Sequence, residues 1–330
     1  MNTAKNLIST VHSHINEHQL ITPGSTIILG LSGGPDSLFL LHALSPLQAT
    51  QQITLIAAHL DHEWRPDSYK DAEFCLSATQ ALGVRLVTAK ISELRLSLKF
   101  NGSKEEWGRK ARRYFFEQVA DTYHAHHTAL AHHADDQHET LFIRLIRGTS
   151  LSGLTGIKWK QGRYIRPLLG VYKQDILSYL HEHQIAYLTD PSNTSPHFLR
   201  NRIRAQVIPA LRLCDARFDA NMATTIKRLQ ETENFLDALT QQTYQTLRVE
   251  AVGFEAIDLA QFLALHPALQ HRILIHWFCK VQVPFQPSQA LLDEVMRFLK
   301  QPGNKEHQLY SGWGIRKKNG IASIVKESHL

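Results

Sequence analysis

The stretch LGLSGGPDSLFLLHAL, residues 29–44, runs an apolar segment into a Ser-Gly-Gly-Pro-Asp-Ser turn and out again into a Leu-rich one. Gly33 and Gly34 can take backbone angles closed to other residues, and without side chains they let a ligand approach the main chain. The segment after the turn has helical spacing, so its free N–H groups and positive dipole end face the turn and favour an anion such as phosphate. Ser32 and Ser37 add hydroxyl donors, and Asp36 sets one carboxylate beside the expected phosphates, an arrangement suited to holding Mg²⁺. The lysine and the spacing of the Walker-type loop are absent. On these six residues alone, a strand-to-helix turn capped by Asp36 or Ser32 and holding nothing is the other reading.

Outward from this turn, Thr26 to Leu31, Thr54 to His59, Val84 to Ala89 and Thr128 to His132 are short apolar runs of the kind that form buried parallel strands. Between them Ser37 to Leu44, Ser68 to Leu82, Lys104 to Tyr123 and Asp136 to Arg147 carry apolar residues at three- and four-residue spacing. The alternation predicts an α/β fold with a doubly wound, mostly parallel sheet, whose ligands sit beyond the carboxyl ends of the strands. After Asp215 the pattern turns helical, over Asn221 to Leu239, Leu265 to Lys280 and Ser288 to Lys300, with a short strand-like tail from Trp313 to Val325. A catalytic domain over 1–214 and a second, mainly helical C-terminal domain over 215–330 with a short β tail are expected.

With 43% hydrophobic and 20% charged residues and no apolar run of bilayer length, the composition is that of a globular protein rather than a membrane-spanning one. The first twenty residues lack the apolar core of a signal peptide, which makes the cytoplasm the expected compartment. Three scattered cysteines, Cys75, Cys214 and Cys279, indicate neither a disulfide framework nor a zinc or iron-sulfur site. The formal charge of +6 is unevenly spread, with eleven Lys or Arg against three Asp or Glu from Thr140 to Leu213. A nucleic-acid footprint would therefore lie mainly on the first two-thirds of the chain.

Other motifs follow the later strands. HLDHEWRPDS, residues 59–68, puts His59, His62 and Arg65 on one loop, with no third ligand nearby for zinc. AHHADDQHET, residues 131–140, opens a helix at Asp135 or Asp136, with Asp136 and Glu139 spaced as a capping box. Capping explains one carboxylate. The run of three carboxylates and three histidines from His132 to Glu139 suits a cation, Mg²⁺ or an amino group. Arg166-Pro-Leu-Leu169, Asp190-Pro-Ser-Asn193 and Arg200-Asn-Arg-Ile-Arg204 complete the series. Three arginines in five residues fit phosphate, from a nucleotide or from an RNA backbone, or form a basic face in water.

The turn at residues 32–37 resembles the phosphate loop of the ATP pyrophosphatase (PP-loop) superfamily. The resemblance implies an adenine nucleotide alpha hydrolase-like sheet and transfer of AMP to an oxygen with release of pyrophosphate. SGGPDS, H-x-x-H-x-x-R, AHHxDDQxET, R-P-L-L, D-x-S-N and RNxxR, in this order from about Leu29 to Pro209, are together similar to the tRNA(Ile)-lysidine synthetase family. Membership implies adenylation of the wobble cytidine in a tRNA(Ile) with a CAU anticodon, then attack by free L-lysine to give lysidine. It implies ATP and Mg²⁺ but no zinc or iron-sulfur cluster, and a cytoplasmic enzyme, and it leaves a homodimer open.

Carried over by position, Ser32, Gly33, Gly34, Pro35, Asp36, Ser37 and His59 are the expected ATP-binding residues, with Asp36 the Mg²⁺ ligand. Asp36, Asp136, Glu139 and Arg200 are the expected catalytic set, Asp136 and Glu139 for recognising lysine or taking its proton. Arg65, Glu106, Arg113, Asp135 and Arg204 are expected contacts for lysine or tRNA, Arg200 and Arg204 also serving the α-phosphate. Gly312, Trp313 and Arg316 to Lys318 are a second basic and aromatic patch that could touch RNA or form an exposed turn. Two departures stand out. The family often has Asn and Gly-Leu where this chain has Asp61 and Glu63-Trp64, and its Glu…Ala-Arg-x-x-Arg-Tyr helix is EEWGRKARRYFF here. The end at Leu330 predicts reduced or altered recognition of the acceptor arm. A tRNA thiolase or amide-forming synthetase of the same superfamily is the alternative enzyme. A tRNA-binding protein without turnover is the alternative class.

Overall fold

In the first of the two compact units into which the chain divides, residues 1–227, the three central residues of β1 (Thr26–Gly30) are buried in succession, as they must be in a strand covered on both faces. The protein is described from a computed structural model that covers residues 3–94, 104–189, 198–251, 254–310 and 312–326, so the Asp190–Asn193 motif lies outside the described residues. Around β1 run α1 (Thr3–Glu17), α2 (Pro35–Leu44), α3 (Leu47–Thr50), β2 (Thr54–Asp61), α4 (Tyr69–Gln80), β3 (Arg85–Lys90), α5 (Lys104–Thr122), β4 (His127–Ala129) and α6 (Ala134–Arg147). Then come α7 (Leu151–Leu154), β5 (Lys160–Gln161), β6 (Tyr164–Ile165), α8 (Lys173–Glu182), α9 (Leu199–Arg202) and α10 (Ile208–Cys214).

The sheet order is β3-β2-β1-β4-β6-β5, parallel throughout except for the short β5 hairpin strand. Side chains alternate across it as a strand requires. Ile27 and Leu29 join the core with Val11 and Ile15 of α1, Leu38 of α2 and Ile176 of α8, whereas Ile28 joins the one with Ala111, Phe115 and Val119 of α5. Because β2 and β3 extend the sheet to one side of β1 and β4 starts the other, the strand order reverses between β1 and β4. The loops after these two strands therefore diverge around a crevice, the usual ligand position in such sheets.

The second unit, residues 228–330, takes most of α11 (Phe218–Leu247) and then β7 (Arg248–Ala251), β8 (Phe254–Asp258), α12 (Leu259–Leu263), α13 (Pro267–Val281), α14 (Gln289–Lys300), β9 (Lys305–Tyr310), β10 (Trp313–Lys318) and β11 (Ile321–Lys326). Its antiparallel sheet, β7-β8-β11-β10-β9, packs on Trp277 and Phe278 of α13 and Val295 of α14. Five strands form where the sequence suggested a short tail, because β7 and β9 are rich in charged and polar residues and hide their alternation. Among the described residues no helix is long and apolar enough to cross a membrane.

Candidate active site

The turn after β1 is folded by its own hydroxyls. Ser37 Oγ donates to Gly34 O at 3.0 Å and accepts Ser32 N–H at 3.2 Å, while Ser32 Oγ lies 3.1 Å from Ser37 Oγ. Gly34 is the N-cap of α2 and gives it no side-chain cap, and Pro35 follows at the first turn, so the dipole end stays open to an anion. Gly33 has φ +78°, and a Cβ there would stand 2.7 Å from Leu188 Cδ1. Leu188 N–H also donates to Gly33 O at 2.9 Å, which fastens the chain after α8 to the loop. Beneath the turn, buried His59 meets Leu31 O through Nδ1 at 2.9 Å, and Cys75 Sγ lies 3.5 Å from the same nitrogen. Burial, then the charge of Asp71, pushes the Cys75 thiol up to about 12.

Across the crevice, α6 begins at Ala134, earlier than the sequence spacing suggested. The cap is formed by His133 with Asp136, whose carboxylate accepts His133 N–H at 3.0 Å. This leaves Glu139 free of capping duty. It is 1% exposed and accepts Arg200 Nε and Arg204 Nε, each at 2.6 Å. Arg200 also reaches Asp136 Oδ1 at 3.3 Å. The two arginines, four residues apart on one helical face, meet one carboxylate, and the helix from α9 to α10 opens into a π turn at Ile203–Val207, just before Pro209. Proline donates no N–H and its ring crowds the carbonyl four residues back, and a widened turn relieves both.

His133 joins the two sides. Its Nε2 lies 3.8 Å from Asp36 Oδ2 and 3.6 Å from Asp136 Oδ2, and its Nδ1 lies 3.5 Å from Asp135. Burial alone would lower the imidazole's pKa, but the close approach of Asp135 and the charges of Asp136 and Asp36 raise it. Burial likewise favours neutral Asp135 and Asp136. The nearby His133 together with bonds from Arg212 and Lys173 N–H outweighs it at Asp135, and the charges of His133 and Arg200 outweigh it at Asp136, so both carboxyls are held below the usual range. Lys173 Nζ lies 2.5 Å from Asp36 Oδ1, and Arg212 Nη2 donates to Asp135 at 2.7 Å.

One bonded network thus gathers Asp36, Asp135, Asp136, Glu139, Arg200 and Arg204 of the expected site. Three others turn to different partners. Arg65 pairs with Asp71 at 2.6 Å, Glu106 approaches Lys110 at 3.9 Å, and Arg113 lies over the Tyr164 ring at 5.2 Å. Lys173 and Arg212 escaped the sequence reading. Lys173 follows the strand β6 as other site residues follow theirs, which is the signal that could have found it. Among the described residues no group of three His, Cys, Asp or Glu stands in metal-holding geometry. Asp36 alone fits a Mg²⁺ bound mainly through phosphate oxygens.

Glu63 has φ +52°, and Asp61 Oδ1 accepts its N–H at 2.8 Å. Trp64 stacks on His62 at 4.6 Å and fills the space over Gly108, where a Cβ would stand 2.7 Å from the indole.

Residues 5–211 match the PP-loop domain family, and residues 257–320 match the TilS substrate binding domain. A tRNA(Ile)-lysidine synthase of Bacillus thuringiensis subsp. konkukian is 31% identical over 303 residues, covering 89% of this chain and 64% of that protein. One of Bacillus subtilis is 36% identical over 271 residues, covering 80% and 57%. The chain thus spans about three-fifths of the length of these curated relatives. In fold it is similar to a U34-tRNA thiolase from Methanococcus maripaludis with its [4Fe-4S] cluster, at a TM-score of 0.58 and 18% identity, covering 69% of this chain and 80% of that one.

Proposed function

The chain belongs to the PP-loop family, and from that premise we propose that it is a tRNA(Ile)-lysidine synthase acting in the cytoplasm on tRNA(Ile) with a CAU anticodon, ATP and free lysine. The match to the TilS substrate binding domain and the similarity to curated lysidine synthases support the substrate. The observation that carries the reading is the bridge by His133 between Asp36 of the phosphate loop and Asp136 of the acidic cluster. It sets a site for the phosphates of ATP against a site for a cationic amine.

In the first step the C2 carbonyl oxygen of the wobble cytidine attacks the α-phosphorus, and the bond to pyrophosphate breaks. The loop from Ser32 to Ser37 holds the leaving pyrophosphate through N–H and hydroxyl donors, with His59 supporting Leu31 beneath it. Asp36 would hold Mg²⁺, which neutralises phosphate charge when bound. Lys173 competes for the same carboxylate and is placed to turn to the phosphates. In the second step the lysine ε-amine attacks C2, AMP departs, and the nitrogen gives up a proton.

Asp136, held below the usual carboxyl range, is suited to binding the ammonium form rather than to taking its proton. Glu139 is sealed by Arg200 and Arg204, so it meets the amine only when those arginines turn to the phosphate. Arg65, Glu106, Arg113 and Asp135 serve the tRNA or the walls of the lysine site. The buried Cys75 thiol, held protonated, is poorly suited to sulfur transfer. Incubation with ATP, Mg²⁺, labelled lysine and the CAU-anticodon tRNA should incorporate lysine and release one pyrophosphate for each lysine. Incorporation of sulfur or of another amine instead would refute the assignment.

A further inference from the structure

Beyond β4, on the side away from the phosphate loop, the structure holds a buried positive charge with no counterion. Arg166, just past the end of β6, is 8% exposed. Its Nη1 donates to Lys158 O at 2.7 Å, and its buried Nε has no partner. No carboxylate among the described residues pairs with it. Its charged neighbours are Arg109 and Arg113, one turn apart on α5, which lower its pKa further after burial itself. Glu117, farther along α5, accepts Tyr164 Oη at 2.7 Å and lies 3.1 Å from Arg163.

His132, following β4, borders the same place. Its Nδ1 is buried without a partner, and its pKa is lowered to about 4 chiefly by burial, against the opposite pull of Asp136 and with Arg166, Arg200 and Arg109 adding to the lowering. It is therefore a neutral ring able to present an N–H to an anion.

A buried guanidinium facing two more without a carboxylate is costly unless a ligand completes it. We propose that Arg109, Arg113 and Arg166, with His132, form a binding site for a backbone phosphate of the tRNA strand that enters the crevice. The proposal rests on the tRNA-modifying reading above and adds to it the place where the strand is held. The alternative source of the same chemistry is a phosphate of ATP. Strand order decides between them. Arg166 lies at β6 and the phosphate loop at β1, with β4 between, about 10 Å apart at the usual strand spacing. The loop already provides for the triphosphate, and a separation of that size suits a second phosphate on a polynucleotide.

The test measures affinity of the full chain for the CAU-anticodon tRNA between 50 and 200 mM KCl, with ATP affinity measured in parallel. Arg166→Gln removes the buried group but risks the fold. Arg109→Gln and Arg113→Gln lie on an exposed helix face and keep the test decisive. Each exposed variant should weaken tRNA binding about five- to tenfold, and the Arg109→Gln/Arg113→Gln double variant should reduce the slope of log K against log salt by up to about 0.7 to 0.9, with ATP affinity within twofold of the parent. Unchanged tRNA affinity and slope in both variants overturns the site. A loss of ATP affinity without loss of tRNA affinity assigns the phosphate to the nucleotide and also overturns it. Lysine incorporation by the unaltered protein separates the two readings. If it fails while the variants behave as expected, the lysidine assignment falls and the phosphate site stands.

Discussion

Replacing Glu139 by Gln removes one charge and leaves the shape nearly unchanged, so it isolates what the carboxylate does. At 1% exposure Glu139 accepts Arg200 Nε and Arg204 Nε at 2.6 Å and Arg204 Nη2 at 3.2 Å. The Gln amide can accept at one oxygen only, and its NH₂ would face a guanidinium donor. Hydrogen bonds to charged groups contribute about 1.5–3 kcal/mol each, and breaking a buried pair costs about 3–5 kcal/mol. The Arg200 and Arg204 side chains are 30% and 45% exposed, so water recovers part of that. The low end, about 3 kcal/mol, is the expected loss. In a domain of this size it corresponds to a fall in Tm of about 6–12 °C. Thermal unfolding followed by circular dichroism at pH 7.5 measures it, and a double-mutant cycle with Arg204→Gln should return a coupling of about 1 kcal/mol or more. If Glu139→Gln unfolds within 2 °C of the parent while lysine incorporation is lost, the arginines do not depend on this carboxylate, and Glu139 meets the substrate directly.

Gly33→Ala forces a side chain into φ +78° and toward Leu188, at a cost of about 1–2 kcal/mol in the backbone alone, and ATP affinity by titration calorimetry should fall at least tenfold; unaltered affinity would show that the loop does not need this conformation. His132 has an ordinary value of 6.5 and a folded value of about 4, so its contribution to stability is complete above pH 6.5 and is lost as pH falls through 6.5 toward 4, at most about 3 kcal/mol. Urea unfolding of His132→Gln should show a correspondingly shallower loss over that window, and an unchanged pH profile would place the titration elsewhere. In the second unit, Lys317 is 3% exposed and donates through Nζ to Phe298 O at 2.8 Å and to Gln301 O, closing the end of α14. Lys317→Met fills the same space without the donor and should cost about 2 kcal/mol in urea unfolding, whereas a neutral result would mean water takes over both carbonyls.

What could be read from the sequence was what is local to it. SGGPDS and AHHADDQHET each fold mostly on themselves, and buried runs such as TIILG declare a covered strand, so the parallel sheet and both rims of the crevice were legible. The bonds that cross the crevice were not. Lys173 meets Asp36 over a separation of 137 residues, and its place after β6 marks it as a site candidate without naming that partner. Arg212 reaches Asp135 over 77 residues, and helical spacing within either segment does not anticipate that. Glu139 was legible as a site residue but not as a sealed one, since burial depends on arginines some sixty residues later. In the second unit KEHQLY and RVEA conceal strands because one face of each meets water, and only their pairing gives them away.

The state of charge in the crevice bears on how the two half-reactions are ordered. Asp36 holds Lys173, Asp135 holds Arg212, Asp136 holds Arg200, and Glu139 holds Arg200 and Arg204, so every carboxylate of the site already has a cation. On the lysidine-forming reading, a triphosphate arriving at the loop competes with those carboxylates for Lys173 and the two arginines. Each cation that turns to phosphate leaves behind a carboxylate, and Asp136 and Glu139 are too buried for water to replace the partner cheaply. On that same reading, the cations that would restore the balance are Mg²⁺ at Asp36 and the ammonium of lysine at Asp136 and Glu139. Nucleotide binding therefore creates the demand for the amine, and because coupling of this kind is reciprocal, bound lysine must strengthen the hold on ATP by the same factor. On this reading an amine reaching the site before the nucleotide would meet carboxylates already paired, which would hold the nucleophile off until ATP is bound.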